Sequence, residues 1–218
     1  MEKTKKFAVI LSGCGVFDGS EIHEAVMTLY AIAKNGGTYE IFAPDIQQYH
    51  VVNHFNEQET NERRNVLAES ARIARGKIKP LSDFNADSFD ALIFPGGFGA
   101  AKNLSDYAIK GPDMMVIKEV ADAIKKMITR QKPIGALCIS PVLLAKTLGN
   151  VELTIGNDFE TIKDIEKMGS KHIKTTHGQI IVDKRYKVVT TPCYMLDANI
   201  VQIEEGADNV VKELNKLM

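Results

Sequence analysis

The run Phe7-Ala8-Val9-Ile10-Leu11 contains no polar residue, and Ser12-Gly13-Cys14-Gly15 breaks it off abruptly. A strand without alternation has no face for solvent, so it belongs in the middle of a parallel sheet covered on both sides. Asp18-Gly19-Ser20 then offers helix caps. Ile22, Ala25, Val26, Leu29, Ile32 and Ala33 form one apolar stripe, and Gly36-Gly37 stops the helix. Tyr39–Ala43 reads as a second strand. A β–α–β opening of this kind demands a parallel sheet with a right-handed crossover. Phe89–Phe94 and the strand ending at Leu137 repeat the buried pattern, with helices expected over Asn61–Arg75, around Met115–Met127, over Asp158–Met168 and over Met195–Leu217. Short strands are expected at Val151–Ile155, His172–Lys174, Gln179–Val182 and Tyr186–Thr190. The order predicts one α/β domain over residues 1–218, in three α/β/α layers around a central, mostly parallel sheet.

Composition narrows the function classes. Of 218 residues, 44% are apolar and 25% charged, which suits a globular fold, and a formal net charge of −1 gives no reason to expect nucleic acid or an anionic membrane as partner. No apolar run approaches a membrane span, and Met1–Lys6 is read as leading straight into the first strand without a signal-peptide core. Cys14, Cys138 and Cys193 are far apart and make no CxxC pair, so no zinc site is expected and a reducing cytoplasm is. His50 and His54, with Val51-Val52 and Asn53 between them, read as surface residues rather than metal ligands. Gly13, Gly15 and Gly19 miss the dinucleotide-binding spacing by one residue, and no nicotinamide cofactor is expected.

Two strand ends carry the candidate chemistry. Lys132-Pro133-Ile134-Gly135-Ala136-Leu137-Cys138-Ile139-Ser140-Pro141 reads as a strand, a cysteine and a helix with proline in its first turn. No polar loop separates strand from helix, so Cys138 stands at the apex of a sharp turn over a helix N-terminus, which is expected to lower its pKa. The same stretch also suits a buried structural cysteine. Phe94 runs into Pro95-Gly96-Gly97-Phe98-Gly99-Ala100-Ala101, where glycines allow positive φ and close approach to backbone N–H groups. In the first helix Glu24 falls opposite the apolar stripe and Glu21 nearer its edge, so periodicity alone does not select an acid.

These features resemble the ThiJ/PfpI group of the class I glutamine-amidotransferase-like superfamily, and nearly the whole chain is similar to its isoprenoid-biosynthesis-associated branch, the ElbB proteins. Leu11–Glu24, Pro95–Leu104, Leu153-Thr154-Ile155-Gly156, Thr190-Thr191-Pro192 and Tyr194-Met195-Leu196 carry the resemblance. It implies a flavodoxin-like fold, a homodimer, a link to isoprenoid biosynthesis, and a weak glyoxalase activity (a lyase of the glyoxal hydratase type) that turns glyoxal into glycolate without metal or organic cofactor. It also implies Cys138 as nucleophile, and Gly97 and Ile139 as the backbone donors of an oxyanion hole. The family's spacing back from the helix-closing glycine, here Gly36, lands on Glu24 as acid partner. Glu21 is then left to the helix dipole.

The chain departs from the superfamily pattern in its histidines. Ile139 follows Cys138 where many members have histidine, no His-x-Glu pair occurs around Thr191–Leu196, and His177 precedes a Gly178-Gln179 turn. Glutaminase or peptidase chemistry needs a base for the thiol and an acid for the leaving amine, so it is not expected. Addition of Cys138 to glyoxal asks only for a thiolate, two N–H donors and one carboxyl proton shuttle. The rival readings are a redox-sensing protein using an oxidisable Cys138 and an amidotransferase subunit, which would require a synthetase partner.

Overall fold

The computed structural model describes residues 4–218. Met1 to Lys3, part of the segment read as leading into the first strand, lie outside the described residues. The chain runs β1 (Lys6–Ile10), α1 (Ile22–Lys34), β2 (Thr38–Ala43), a hairpin of β3 (Val51–Asn53) and β4 (Gln58–Thr60), α2 (Val66–Ile73) and β5 (Lys79–Pro80). Next come β6 (Ala91–Phe94), the short α3 (Phe98–Lys102) and α4 (Tyr107–Lys110), α5 (Lys118–Thr129), β7 (Ile134–Leu137) and α6 (Pro141–Leu148). The last part holds β8 (Glu152–Leu153), α7 (Phe159–Lys167), β9 (Lys171–His172), β10 (Ile181–Asp183), β11 (Val188–Thr191) and α8 (Ile200–Leu217).

Seven strands form the central sheet in the order β10-β11-β7-β6-β1-β2-β5, every neighbouring pair parallel except β10 with β11. The apolar runs occupy its middle, as their lack of alternation requires: β1 pairs β6 with Val9 opposite Ile93, and β6 pairs β7 with Ile93 opposite Gly135. On one face α1 and α8 bury Ala25, Ile32, Val210 and Leu214. On the other, α5 and α6 bury Ile124, Met127, Leu143 and Leu144, beside a Phe42–Phe84–Phe89 cluster with ring centroids 5.5–5.7 Å apart. Each of the larger side chains among them contributes about 1.5–3 kcal/mol on full burial. The chain is therefore the expected three-layer α/β/α, flavodoxin-like fold. No helix among the described residues is long and apolar enough to cross a membrane.

Several boundaries differ from the sequence reading, each for a local reason. Helix α2 starts at Val66 rather than Asn61, because the Asn65 side chain caps it at the Ala68 N–H while Arg64 O accepts from Gln48 N–H. Helix α8 starts at Ile200, where Asn199 and Gln202 form a reciprocal capping box, and Cys193–Met195 make a separate 3₁₀ turn. β8 and β9 pair with each other in a small sheet of their own. The largest difference is in α1. It buries Glu24, Ala25, Thr28, Ala31 and Ile32, and leaves Ile22 and Val26 half exposed. The helix is rotated because its inward face must serve the carboxyl of Glu24 as well as the apolar core.

The parallel order brings the C-terminal ends of β1, β6, β7 and β11 to one edge of the sheet, where ligand sites of open α/β folds occur. Everything singled out from the sequence at those ends is gathered there.

Candidate active site

β7 delivers Cys138 in a left-handed conformation, φ 59°, which costs a non-glycine residue energy and persists only when the surroundings impose it. The Cys138 N–H donates to Thr191 O at 3.0 Å, Ser140 Oγ donates to Pro95 O at 2.6 Å, and Pro141 opens α6. The elbow is thus tied to β11 on one side and to the Pro-Gly-Gly turn on the other. The Cys138 side chain is buried, with 7% of its surface exposed.

The two glycines of the turn do different jobs. Gly97 has φ 99°, and a Cβ there would overlap the backbone of Gly19 and Glu21. Gly96 donates its N–H to Glu24 Oε2 at 2.9 Å and accepts from the Glu21 N–H at 2.9 Å. A Cβ on Gly96 would overlap both Cys138 Cβ and Glu24 Oε2. Gly96 is therefore the gap through which acid and thiol meet. Sequence reading singled out Gly97 and missed Gly96, although both stand in the same motif.

Glu24 is fully buried beside Cys138, both within reach of a Cβ on Gly96, and its Oε1 accepts from the Tyr194 N–H at 3.1 Å. Burial, and then the charge of Glu21, push its pKa up to about 8, against the opposing hydrogen bonds from Tyr194, Cys138 and Gly96. It is thus a neutral acid at pH 7. Glu21 is the N-cap of α1, its side chain accepting from the Glu24 N–H at 2.7 Å. The structure places Glu24 against the sulfur and Glu21 at the helix terminus. The periodicity that set Glu24 opposite the apolar stripe was misleading, because the buried face of α1 includes it.

The Cys138 thiol is pushed well up from its ordinary value, by burial first and by the charge of Glu24 second. Hydrogen bonds from the backbone N–H groups of Gly97 and Ile139 pull it down. This corrects the expected lowered pKa: at the apex of this turn desolvation outweighs the helix terminus. Cys138 and Glu24 cannot both ionise freely, so the pair holds at most one charge easily and titrates as a unit.

The histidines lie elsewhere. His23 Nδ1 is 2.9 Å from Tyr194 Oη, and His177 Nε2 is 2.9 Å from Asp197 O. His50, read as a surface residue, is largely buried beside Lys102, its Nε2 3.0 Å from Nζ, and His54 packs on the glycine-rich loop after β1 with its Nε2 accepting from Phe17 N–H. The contribution of Tyr194 was missed, since a backbone N–H leaves no trace in residue type. No cluster of three or more His, Cys, Asp or Glu suited to a metal ion occurs among the described residues.

Above the sulfur lies a cavity of about 340 Å³ walled by Val16, Phe98, Tyr107, Ile139 and Met195. A larger groove of about 690 Å³ between Ile41, Ile73 and Ile78 shares no residue with it and is lined by no cysteine.

Comparison with known proteins bears on the family and the fold. The chain is 46% identical over 222 residues to the mitochondrial ES1 protein homolog of Rattus norvegicus, covering 97% of this chain and 84% of that protein. It is equally similar to the human glutamine amidotransferase-like class 1 domain-containing protein 3, mitochondrial, of which it covers 83%. A crystal structure of an isoprenoid biosynthesis protein with amidotransferase-like domain from Ehrlichia chaffeensis matches with TM-score 0.91 and 32% identity, over 98% of this chain and 100% of that one. Glyoxalase III from Candida albicans shares the fold at TM-score 0.61 and 14% identity, a likeness of fold alone. The names of the rat, human and zebrafish relatives overturn the cytoplasmic expectation, since all three are mitochondrial proteins. Cysteine usage reports a reducing environment, not which compartment provides it. The DJ-1/PfpI family model matches residues 15–194, from the loop after β1 to the tyrosine that holds Glu24, and the chain belongs to that family.

Proposed function

We propose that the chain is a cofactor-independent glyoxalase converting glyoxal to glycolate at Cys138. The observation that carries this reading is the fully buried Glu24 carboxyl, held by the N–H groups of Gly96 and Tyr194 beside the Cys138 side chain, with burial pushing its pKa up to about 8. Cys138 reacts from the singly charged form of the pair, as thiolate with Glu24 protonated. The sulfur adds to one aldehyde carbon, and the resulting oxyanion, held by the N–H groups of Gly97 and Ile139, takes the Glu24 proton and leaves Glu24 a carboxylate. Glu24 then carries a proton from that carbon to its neighbour through an enediol, leaving a thioester. Water cleaves the thioester and releases glycolate. One carbon is oxidised and the other reduced, so no external oxidant enters.

The test is glycolate formation by the purified protein. Cys138→Ser is expected to abolish it, and Glu24→Gln to lower turnover by a factor on the order of 10²–10⁴, far more than Glu21→Gln. Wild-type protein that forms no glycolate sinks the reading. If Cys138 is then the residue first oxidised by peroxide, the redox-sensing role takes its place. A link to isoprenoid biosynthesis, the process in the name of the Ehrlichia chaffeensis protein, rests on likeness to that protein.

A further inference from the structure

We propose that the cavity over Cys138 selects neutral 2-oxoaldehydes with an aromatic or bulky apolar substituent over glyoxal itself, and rejects anionic ones. This rests on the glyoxalase reading and names its substrate class.

Size is the first observation. A dialdehyde of four heavy atoms needs only the space next to the sulfur, whereas about 340 Å³ is available. Cavities of roughly 300–1,000 Å³ hold ring-bearing ligands. Val16, Phe98, Tyr107, Ile139 and Met195 wall this one, and Phe98 does so while remaining nearly half exposed. Such a wall offers a substituent apolar contact and aromatic stacking, neither of which glyoxal can use.

Charge is the second. The ionisable lining residues are Glu21, Asp158, Tyr107, Tyr194 and Cys138; no lysine, arginine or histidine lines the cavity. Lys102 lies 4.7 Å from the Phe98 ring centroid, but its Nζ donates to Phe17 O and faces His50, and it is not a lining residue. Asp158 caps α7 by accepting from Thr161 N–H at 2.9 Å, and Tyr107 Oη donates to Asp164 at 3.2 Å. With the reacting aldehyde oxygen on the Gly97 and Ile139 N–H groups, a carboxylate or phosphate on the substituent would lose water and meet no cationic side chain. Asp158 and Glu21 would be its charged neighbours, which costs affinity. With the reacting aldehyde at Cys138, the substituent lies along Phe98, Tyr107 and Ala108.

The test compares kcat/KM for phenylglyoxal, 4-carboxyphenylglyoxal and glyoxal. Phenylglyoxal is expected to exceed each of the other two by at least about tenfold, the scale on which an apolar pocket discriminates. Ala108→Trp, on an exposed helix position, should cut the ratio of phenylglyoxal to glyoxal by about as much. Asp158→Asn keeps an acceptor for the Thr161 N–H and should narrow the gap between phenylglyoxal and its carboxylate. A second probe needs no turnover: the rate of Cys138 alkylation by phenacyl bromide against 4-carboxyphenacyl bromide, each divided by its rate with free glutathione. A neutral preference at Cys138 that exceeds the glutathione ratio supports the proposal even if no dicarbonyl is turned over, in which case the glyoxalase reading alone falls. Glyoxal turned over as well as phenylglyoxal, or neutral and carboxylated reagents reacting alike, overturns the proposal and leaves the glyoxalase reading standing.

Discussion

At the scale of single residues, the site depends on a carboxyl that is costly to ionise. Glu24 has a folded pKa of about 8 against an ordinary 4.5, so the folded state holds the proton more tightly than the unfolded chain. Its contribution to stability is fully present below about pH 4.5 and is lost as pH rises through about 8. Melting temperature should therefore fall over that interval, and Glu24→Gln should flatten the fall; an unchanged slope would mean that Glu24 is ionised in the folded protein. Gly96→Ala is the sharpest structural test. Its Cβ would sit 3.0 Å from the sulfur and overlap Glu24 Oε2, forcing acid and thiol apart. Turnover should be lost, with a stability cost of about 1–3 kcal/mol from overpacking. A fully active Gly96→Ala protein would show that the carboxyl need not touch the sulfur.

At the scale of elements, the elbow is held by its neighbours more than by its own preference. Cys138 keeps its left-handed φ because β11 receives its N–H and because Ser140 binds the carbonyl of Pro95 at the end of β6. Ser140→Ala strands that buried carbonyl and should cost about 1–3 kcal/mol in chemical denaturation. It should also slow alkylation of Cys138, since the apex is no longer clamped to the turn that supplies the Gly97 N–H. A loss below about 0.5 kcal/mol, the size of a neutral surface change, would show that the bond does not tie the two loops.

At the scale of the whole molecule, two faces of the sheet are covered and the working groups share one edge. For the homodimer implied by the family resemblance, α1 offers the surface to test. Ile22, Val26 and Tyr30 recur at helical spacing and are 42%, 43% and 52% exposed. Light scattering should give twice the 24.1 kDa of the chain, and Val26→Glu should shift the mass toward the monomer. A wild-type mass of one chain would remove the dimer, and an unshifted variant would move its interface off α1.

What the sequence determined by itself was whatever depends on local pattern. Unbroken apolar runs placed β1, β6 and β7 in the middle of a parallel sheet, because a strand without a polar face has nowhere else to go. Cysteine between strand and proline located the elbow, and Pro-Gly-Gly located the opposing turn, because only certain residues tolerate those backbone geometries. Tertiary structure decided what lies between them. The direction of the Cys138 pKa could not be read from its place over a helix, because burial by distant segments sets the larger effect. Glu24 became the buried acid although it stands off the apolar stripe, because α1 turns that side toward Gly96 and Tyr194. Those two partners lie 72 and 170 positions along the chain and act through backbone N–H groups, which every residue but proline carries. Only the fold says which N–H is aimed at the acid.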